Sequence, residues 1–344
     1  MNKEKISTML SNSVVDWNKT QLKIAMFIFA VLFFVPFFTR REYILHILVV
    51  TFIYCLFAQS WNILGGIAGT ASIGHIMYFG LGGYLTAFLF VFHGVSPWIG
   101  LLLSGVVGIL FALFVSFLTL RYGLREDYYA LFTLAMSMML FIIFMNLPGF
   151  GGAEGIYIPH RGHNFLMMQF GSRIPWYYIG LISVALLLYF TYRLLKSKIG
   201  LYFIAIRENE MAAEASGVDT IKYKRMATVI SGALTAMTGA YFVMYTTYAH
   251  PDLIFGFSQN FEFLLMAIFG GAGSILGPVL GTMILKPIAE YSRAMLGGLR
   301  PGTAYMVYGM ILVMSILFLS NGIVGLLKDI LYKAGKALKV SENN

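Results

Sequence analysis

The sequence predicts an all-α, polytopic helical membrane protein, and three observations carry that prediction. Charged residues make up 11% of the 344 against 59% hydrophobic, and mean hydropathy is +0.78. A soluble domain carries about 25% charge because it needs a polar shell, and this chain has too little charge to cover itself in water. Its apolar stretches are continuous rather than alternating. That excludes the strand pattern of an outer-membrane barrel and leaves helices, which satisfy their own backbone polar groups in lipid. Cys55 is the single cysteine and lies inside an apolar run, so a disulfide-built extracellular domain is excluded as well.

A span needs about 20 apolar residues. Taken in order, the candidate segments are 22–38, 43–65, 67–92, 98–120, 127–147, 174–195, 225–248, 258–270, 275–291 and 303–320, about ten in all. Residues 1–21 read as a retained cytoplasmic tail, too long and polar for the n-region of a cleaved signal peptide and followed by no A-x-A site. The transmembrane domain covers 22–320 and a second tail covers 321–344. Two connections are longer than a few residues. The loop 148–173 is Gly-rich and carries His160, Arg161 and His163; the loop 196–224 carries charge of both signs.

Lys and Arg set the orientation, because cytoplasmic loops collect them. With the N-terminus inside, seventeen of the 24 fall inside, in both tails and in the 121–125 and 193–225 regions. Six fall outside: Arg40, Arg41, Arg161, Arg173, Arg293 and Arg300. Two basic tails require an even number of crossings, so 258–291 must be a hairpin that crosses twice. The Arg40–Arg41 pair runs against the bias and leaves the first hairpin the least constrained. On this reading the net charge of +9 reports topology and not a nucleic-acid partner.

The chain carries no phosphate-cradling G-x-x-x-x-G-K-[ST] loop, no H-E-x-x-H zinc helix and no Ser/His/Asp constellation. His160 and His163 have metal-like spacing but no cysteine or acidic cluster nearby, and read as a solvated loop pair. The chain is therefore not expected to catalyse a reaction, bind a metal or hold a cofactor.

The loop 196–224 is more informative. Residues 205–217 are good helix formers, and Gly217 is placed as a helix stop. Interfacial helices commonly show a clean apolar stripe. Here small residues (Ala212, Ala213, Ala215, Ser216) stand beside acids (Glu208, Glu210, Glu214). Small residues let a partner's backbone approach and the acids invite basic side chains, so this reads as a docking helix for a cytoplasmic protein.

The loop's I-R-E-N-E-x-A-A-E-A-x-G, from Ile206 to Gly217, resembles the coupling motif of permease subunits in branched-chain amino acid ABC importers. In the general motif a Glu stands six residues before the Gly; here that position is Met211, with Glu210 beside it. Further segments resemble the same family in register. These are NILGGIAGTASIGHIMYFGLGGY over 62–84, YALFTLA over 129–135, GGAEGI over 151–156, FGGAGSILGPVLG over 269–281 and SNGIVGL over 320–326, the last without the usual proline. The loop before Tyr129, YGLREDYY, departs from the family's short lead-in.

The resemblance implies a heteromeric importer in the bacterial inner membrane, with both termini cytoplasmic. Its other parts would be a second permease, two ATPase subunits that use ATP and Mg²⁺, and an external solute-binding protein. Arg207, Glu208, Asn209, Glu210, Ala212, Ala213, Glu214 and Gly217 would couple to the ATPase. Glycine-interrupted helix survives in a membrane only where protein or water covers it, and paired Gly-broken segments point to a transport path. The candidates are Asn62, Gly69, Ser72, Gly74 and His75 in the first such segment, and Gly270, Gly271, Gly273, Ser274 and Gly277 in the second. Close helix packing is the competing role for the glycines, and buried hydrogen bonding for Asn62, Ser72 and His75. Glu262 is a further path candidate, considered with Lys286 in the paired short segment, because intramembrane charge defaults to function; the two either act in transport, lie near the membrane interfaces or neutralise one another. The external loop 148–173 either contacts the binding protein or is uncommitted. Urea or a short-chain amide is the alternative solute, since related permeases carry them. A stand-alone ion-coupled transporter is the alternative machine.

Overall fold

The computed structural model describes residues 21, 23–39, 41–121, 126–296, 309–310, 322–326 and 328. The N-terminal tail to residue 20, nearly all of the expected span over 303–320 and the chain beyond 328 lie outside the described residues.

The described chain is almost wholly helical. Helix α1 (Lys23–Phe38) leads to α2 (Glu42–Asn62), which runs on through a wide turn over Ile63–Ile67. Helices α3 (Ile76–His93), α4 (Pro97–Arg121), α5 (Glu126–Asn146) and α6 (Ile174–Lys196) follow. Two short helices, α7 (Lys198–Glu208) and α8 (Glu210–Ala215), precede the long α9 (Thr220–Thr246). The chain continues through α10 (Pro251–Ile254), α11 (Phe257–Gly271) and α12 (Gly277–Leu296). Among the described residues seven helical stretches are long and apolar enough to cross a membrane: Glu42–Ile67, Ile76–His93, Pro97–Thr119, Asp127–Asn146, Ile174–Lys196, Thr220–Thr246 and Pro251–Gly271. Helix α1 is shorter, and α12 carries Lys286, Glu290 and Arg293 along its length.

Helix α9 occupies the centre, packed on α3 and α4 and also against α2. Small residues allow the approach. A Cβ on Gly82 would sit 2.0 Å from the Ala236 carbonyl oxygen, and one on Gly239 would sit 1.9 Å from that of Phe79. In a bilayer, where lipid is as apolar as Leu, such backbone-to-backbone packing is what drives helices together. The α2 span is 72% buried and the α4 span only 33%. Helix α4 turns Leu102, Val106, Leu110 and Phe117 outward, the surface a lipid-facing helix presents.

The two ends of the bundle can be told apart. Strand β1 (Ile156–Tyr157), in the loop after α5, pairs antiparallel with β2 (Tyr248–Ala249), which follows α9. At 1.5 Å per residue α9 is about 40 Å long, so α7 and α8, at its start, lie at the opposite end. The turn between α11 and α12 joins α7 there.

Several expected boundaries move, for local reasons. The third expected span does not begin at 67: residues 68–75 are non-helical, because Gly69 takes φ +75 and Gly74 backs onto the main chain of Thr133. The single helix expected over 205–217 is two helices. Asn209, at φ −163 and ψ 106, breaks it, and its side chain accepts from Ala212 N to cap the second piece. Helix α9 starts at Thr220 rather than 225, because the Asp219 side chain caps it by accepting from Lys222 N. The 148–173 loop holds a strand and short 3₁₀ turns.

Candidate functional site

The two Gly-broken segments meet at one end of the bundle. Asn62, at the end of α2, is fully buried. Its Oδ1 accepts from Gly273 N at 2.7 Å and its Nδ2 donates to Ser274 O at 2.9 Å, which binds the α11–α12 turn to the end of α2. Arg207, near the end of α7, reaches the same place. Its Nη1 donates to Gly66 O at 3.1 Å, and its aliphatic stem lies across Gly69. A Cβ on Gly273 would sit 2.6 Å from Arg207 Nη1, so the guanidinium adjoins both breaks. The outer side of that guanidinium holds Glu208 at 2.6 Å. One cationic side chain thus links the loop between α6 and α9 to both irregular segments.

Helix α8 stands on the surface beside this junction. Ala213 is its one buried residue, and Met211 is 81% exposed. Lys224 at the start of α9 pairs with Glu210 at 2.6 Å and anchors the helix from below. Gly217 closes it at φ +86, with Val218 N donating to Ala213 O at 3.1 Å, the two marks of a Schellman C-cap. Ala212, Glu208 and Glu214 remain exposed.

Ser72 and His75 are fully buried and stitch the 68–75 break to α9. His75 Nε2 lies 2.9 Å from Ser231 Oγ, which donates to Ser60 O at 2.6 Å; His75 Nδ1 lies 3.4 Å from Ser72 Oγ. Asn260, which sequence reasoning missed, holds the other side. It accepts from Ile76 N at 3.2 Å and donates to Ile73 O. Gly270 and Gly277 face one another across the α11–α12 turn, and Gly271 enters the turn at φ +112.

Glu262 and Lys286 are joined 3.1 Å apart, and two residues not expected in the site complete a cluster. Glu290 meets Lys286 at 2.9 Å, and Arg293 meets Glu290 at 3.1 Å and Glu262 at 3.2 Å. Tyr54 donates to Glu262 at 3.2 Å, while its ring lies 3.6 Å under the Lys286 ammonium. Lys286, Glu290 and Arg293 recur at i, i+4 and i+7 on one face of α12, a spacing visible in the sequence. Buried charge is tolerated only when paired and hydrogen-bonded, and this cluster meets that condition with two carboxylates and two cations. It adjoins a cavity of about 860 Å³ between α5, α10 and α11.

The rings of His160 and His163 are 5.1 Å apart, and among the described residues no three His, Cys, Asp or Glu gather as a metal site would require.

The family model for the permease component of branched-chain amino acid transport systems matches residues 43–316. The high-affinity branched-chain amino acid transport system permease protein LivM of Salmonella typhimurium is 28% identical over 294 residues, covering 77% of this chain and 68% of that one. The probable branched-chain amino acid transport permease protein LivM of Methanocaldococcus jannaschii is 26% identical over 293 residues, 76% and 83% of the two chains. The probable LivH permease of the same organism is 24% identical over 262 residues, 71% and 80%. No solved structure matches the chain significantly. The family match over residues 43–316 covers most of the chain and places it in the branched-chain amino acid permease family: as a member of that family it is a multi-pass membrane subunit of an ABC transporter, not an enzyme.

Proposed function

We infer that this chain forms half of the translocation pathway of an importer in the bacterial inner membrane, working beside a second permease of its own kind. Its solute is a branched-chain amino acid, delivered by an external binding protein that contacts the 148–173 loop. The importer has two cytoplasmic ATPases that use the ATP and Mg²⁺, one of them docking on α7 and α8 of this chain; the chain itself holds no cofactor. The α7–α8 end is cytoplasmic, as the Lys and Arg distribution requires. With α1, the α11–α12 hairpin and the 303–320 segment the crossings number ten, both tails are cytoplasmic, and 22–320 is the transmembrane domain.

The observation that carries this reading is the Arg207 bridge. A helix pair pushed by a closing ATPase would move as a rigid body, and Arg207 would pass that displacement to Gly66 and Gly69 on one side and to Gly273 on the other. Asn62 locks the same two segments together, so they would shift as a unit. Ser72, Gly74 and His75, with Gly270, Gly271, Ser274 and Gly277, form the backbone that flexes between states. Glu208, Asn209, Glu210, Ala212, Ala213, Glu214 and Gly217 form the docking face and its cap.

Co-purification with tagged ATPase subunits tests the docking. It is lost on Gly217→Arg or on deletion of residues 207–214, while membrane insertion persists. Uptake in vesicles with neither ATP nor a partner chain would overturn the importer in favour of an ion-coupled transporter. Competition uptake among leucine, isoleucine, valine and urea assigns the solute, and dominance by urea would replace the amino acid in this reading.

A further inference from the structure

The charge cluster on α11 and α12 is open to the cavity between α5, α10 and α11. Glu262 and Arg293 line it, while Lys286 stands behind them with 1% of its side chain exposed. Met138 and Phe141 from α5 and Leu265 from α11 form an apolar wall. A volume of about 860 Å³ lies within the range of small-molecule pockets, roughly 300–1,000 Å³. One end of the cavity is therefore ionic and the wall beside it greasy.

The cluster's charges sum to zero, and Asp252, the other charged residue lining the cavity, has a side chain 65% exposed to solvent. A net anion or cation entering would leave one charge of the largely buried cluster unmatched, which is unfavourable. A solute that carries both signs adds none. The Arg293–Glu262 contacts, at 3.2 Å, are longer than the roughly 2.7–2.9 Å of a strong charge-assisted hydrogen bond. Each partner also keeps another contact if they separate. Glu262 retains Lys286 at 3.1 Å and the Tyr54 hydroxyl at 3.2 Å, and Arg293 retains Glu290 at 3.1 Å. The pair can open without stranding either charge.

We propose that this cavity is a low-affinity subsite for an aliphatic α-amino acid zwitterion. The solute carboxylate binds the Arg293 guanidinium, its ammonium binds the Glu262 carboxylate, and its side chain lies against Met138, Phe141 and Leu265. Affinity is low because the solute displaces an existing ion pair, which suits a path that must also release it. The proposal rests on the transport reading and adds to it a place on this chain where the solute pauses.

The test uses the full transporter in nanodiscs without the external binding protein. Equilibrium binding of tritiated leucine is measured against valine, isoamylamine (leucine without its carboxylate) and 4-methylpentanoate (leucine without its ammonium). Valine displaces leucine and neither single-charge analogue does. Arg293→Gln weakens binding by at least about tenfold, as loss of one hydrogen bond to a charged group predicts. Leu265→Trp, which leaves the ionic cluster untouched, narrows the cavity and weakens leucine more than alanine. Absence of saturable binding, equal competition by a single-charge analogue, or leucine binding unchanged in both variants overturns the proposal. ATP-driven leucine uptake with the binding protein present separates the two readings. If uptake proceeds and direct binding is absent, the subsite falls and the importer stands; if both are absent, both fall.

Discussion

Gly69 and Gly217 both sit at positive φ, +75 and +86, yet they should respond differently to the same change. A Cβ on Gly217 meets nothing within 4 Å. Gly217→Ala therefore adds only the backbone term. A left-handed conformation costs an L-residue about 1–2 kcal/mol, partly offset by the reduced freedom of the unfolded chain, for a net loss of about 1 kcal/mol. A Cβ on Gly69 would lie 2.7 Å from Arg207 Cγ, where ordinary contact begins at 3.4 Å. The arginine must retreat by roughly 0.7 Å, which stretches its 3.1 Å bond to Gly66 O past hydrogen-bonding distance. A bond from a charged donor contributes about 1.5–3 kcal/mol. The Arg207 side chain is 35% exposed, so water replaces part of it and about 1 kcal/mol remains. Gly69→Ala should then cost about 2 kcal/mol, twice the loss at Gly217. Unfolding in mixed detergent–dodecyl sulfate micelles measures both. Because Arg207→Ala removes the clashing Cγ, a double-mutant cycle between positions 69 and 207 should show coupling of about 1 kcal/mol. Equal losses at the two glycines, or additive behaviour in the cycle, would refute the idea that Arg207 is seated on Gly69. ATP-driven uptake should fall in Gly69→Ala while ATPase co-purification holds, because the docking face is untouched.

Three further outcomes follow from the contacts. Lys286→Met leaves Glu262 and Glu290 without their shared ammonium and should cost about 3–5 kcal/mol in the same unfolding assay; a loss below about 1 kcal/mol would show the cluster open to water. Asn62→Leu leaves Gly273 N and Ser274 O unpaired and should cost about 2–4 kcal/mol, with uptake lost even where enough protein inserts for an uptake measurement. Glu210→Ala removes a partner of an ammonium only 10% exposed and should cost about 1–3 kcal/mol, while ATPase capture weakens; capture unchanged in low salt would argue against α8 as the docking element.

Most spans could be read from the chain because a bilayer demands long, continuous apolar runs and because Lys and Arg mark one side. Gly217 as a helix stop was equally legible, since a left-handed C-cap favours glycine whatever surrounds it. The break at Asn209 was harder: Asn tolerates a helix interior or caps a new one, and nothing local chooses. The late start of α3 was legible in part: Gly69 and Gly74 mark an interrupted helix, while the extent of the break depends on Arg207 and Thr133 in the adjacent space. Glu262 and Lys286 stood out as charges in apolar segments, and the i, i+4, i+7 run on α12 could have added Glu290 and Arg293. Their closure with Tyr54 could not be foreseen, because it joins α2 to a hairpin some two hundred residues away. Composition and periodicity report each helix against its solvent, and these properties belong to single segments. The Arg207 bridge, the Asn62 lock and the zero-sum ion cluster are relations between segments distant in sequence, and they exist only once packing has brought those segments within hydrogen-bonding reach.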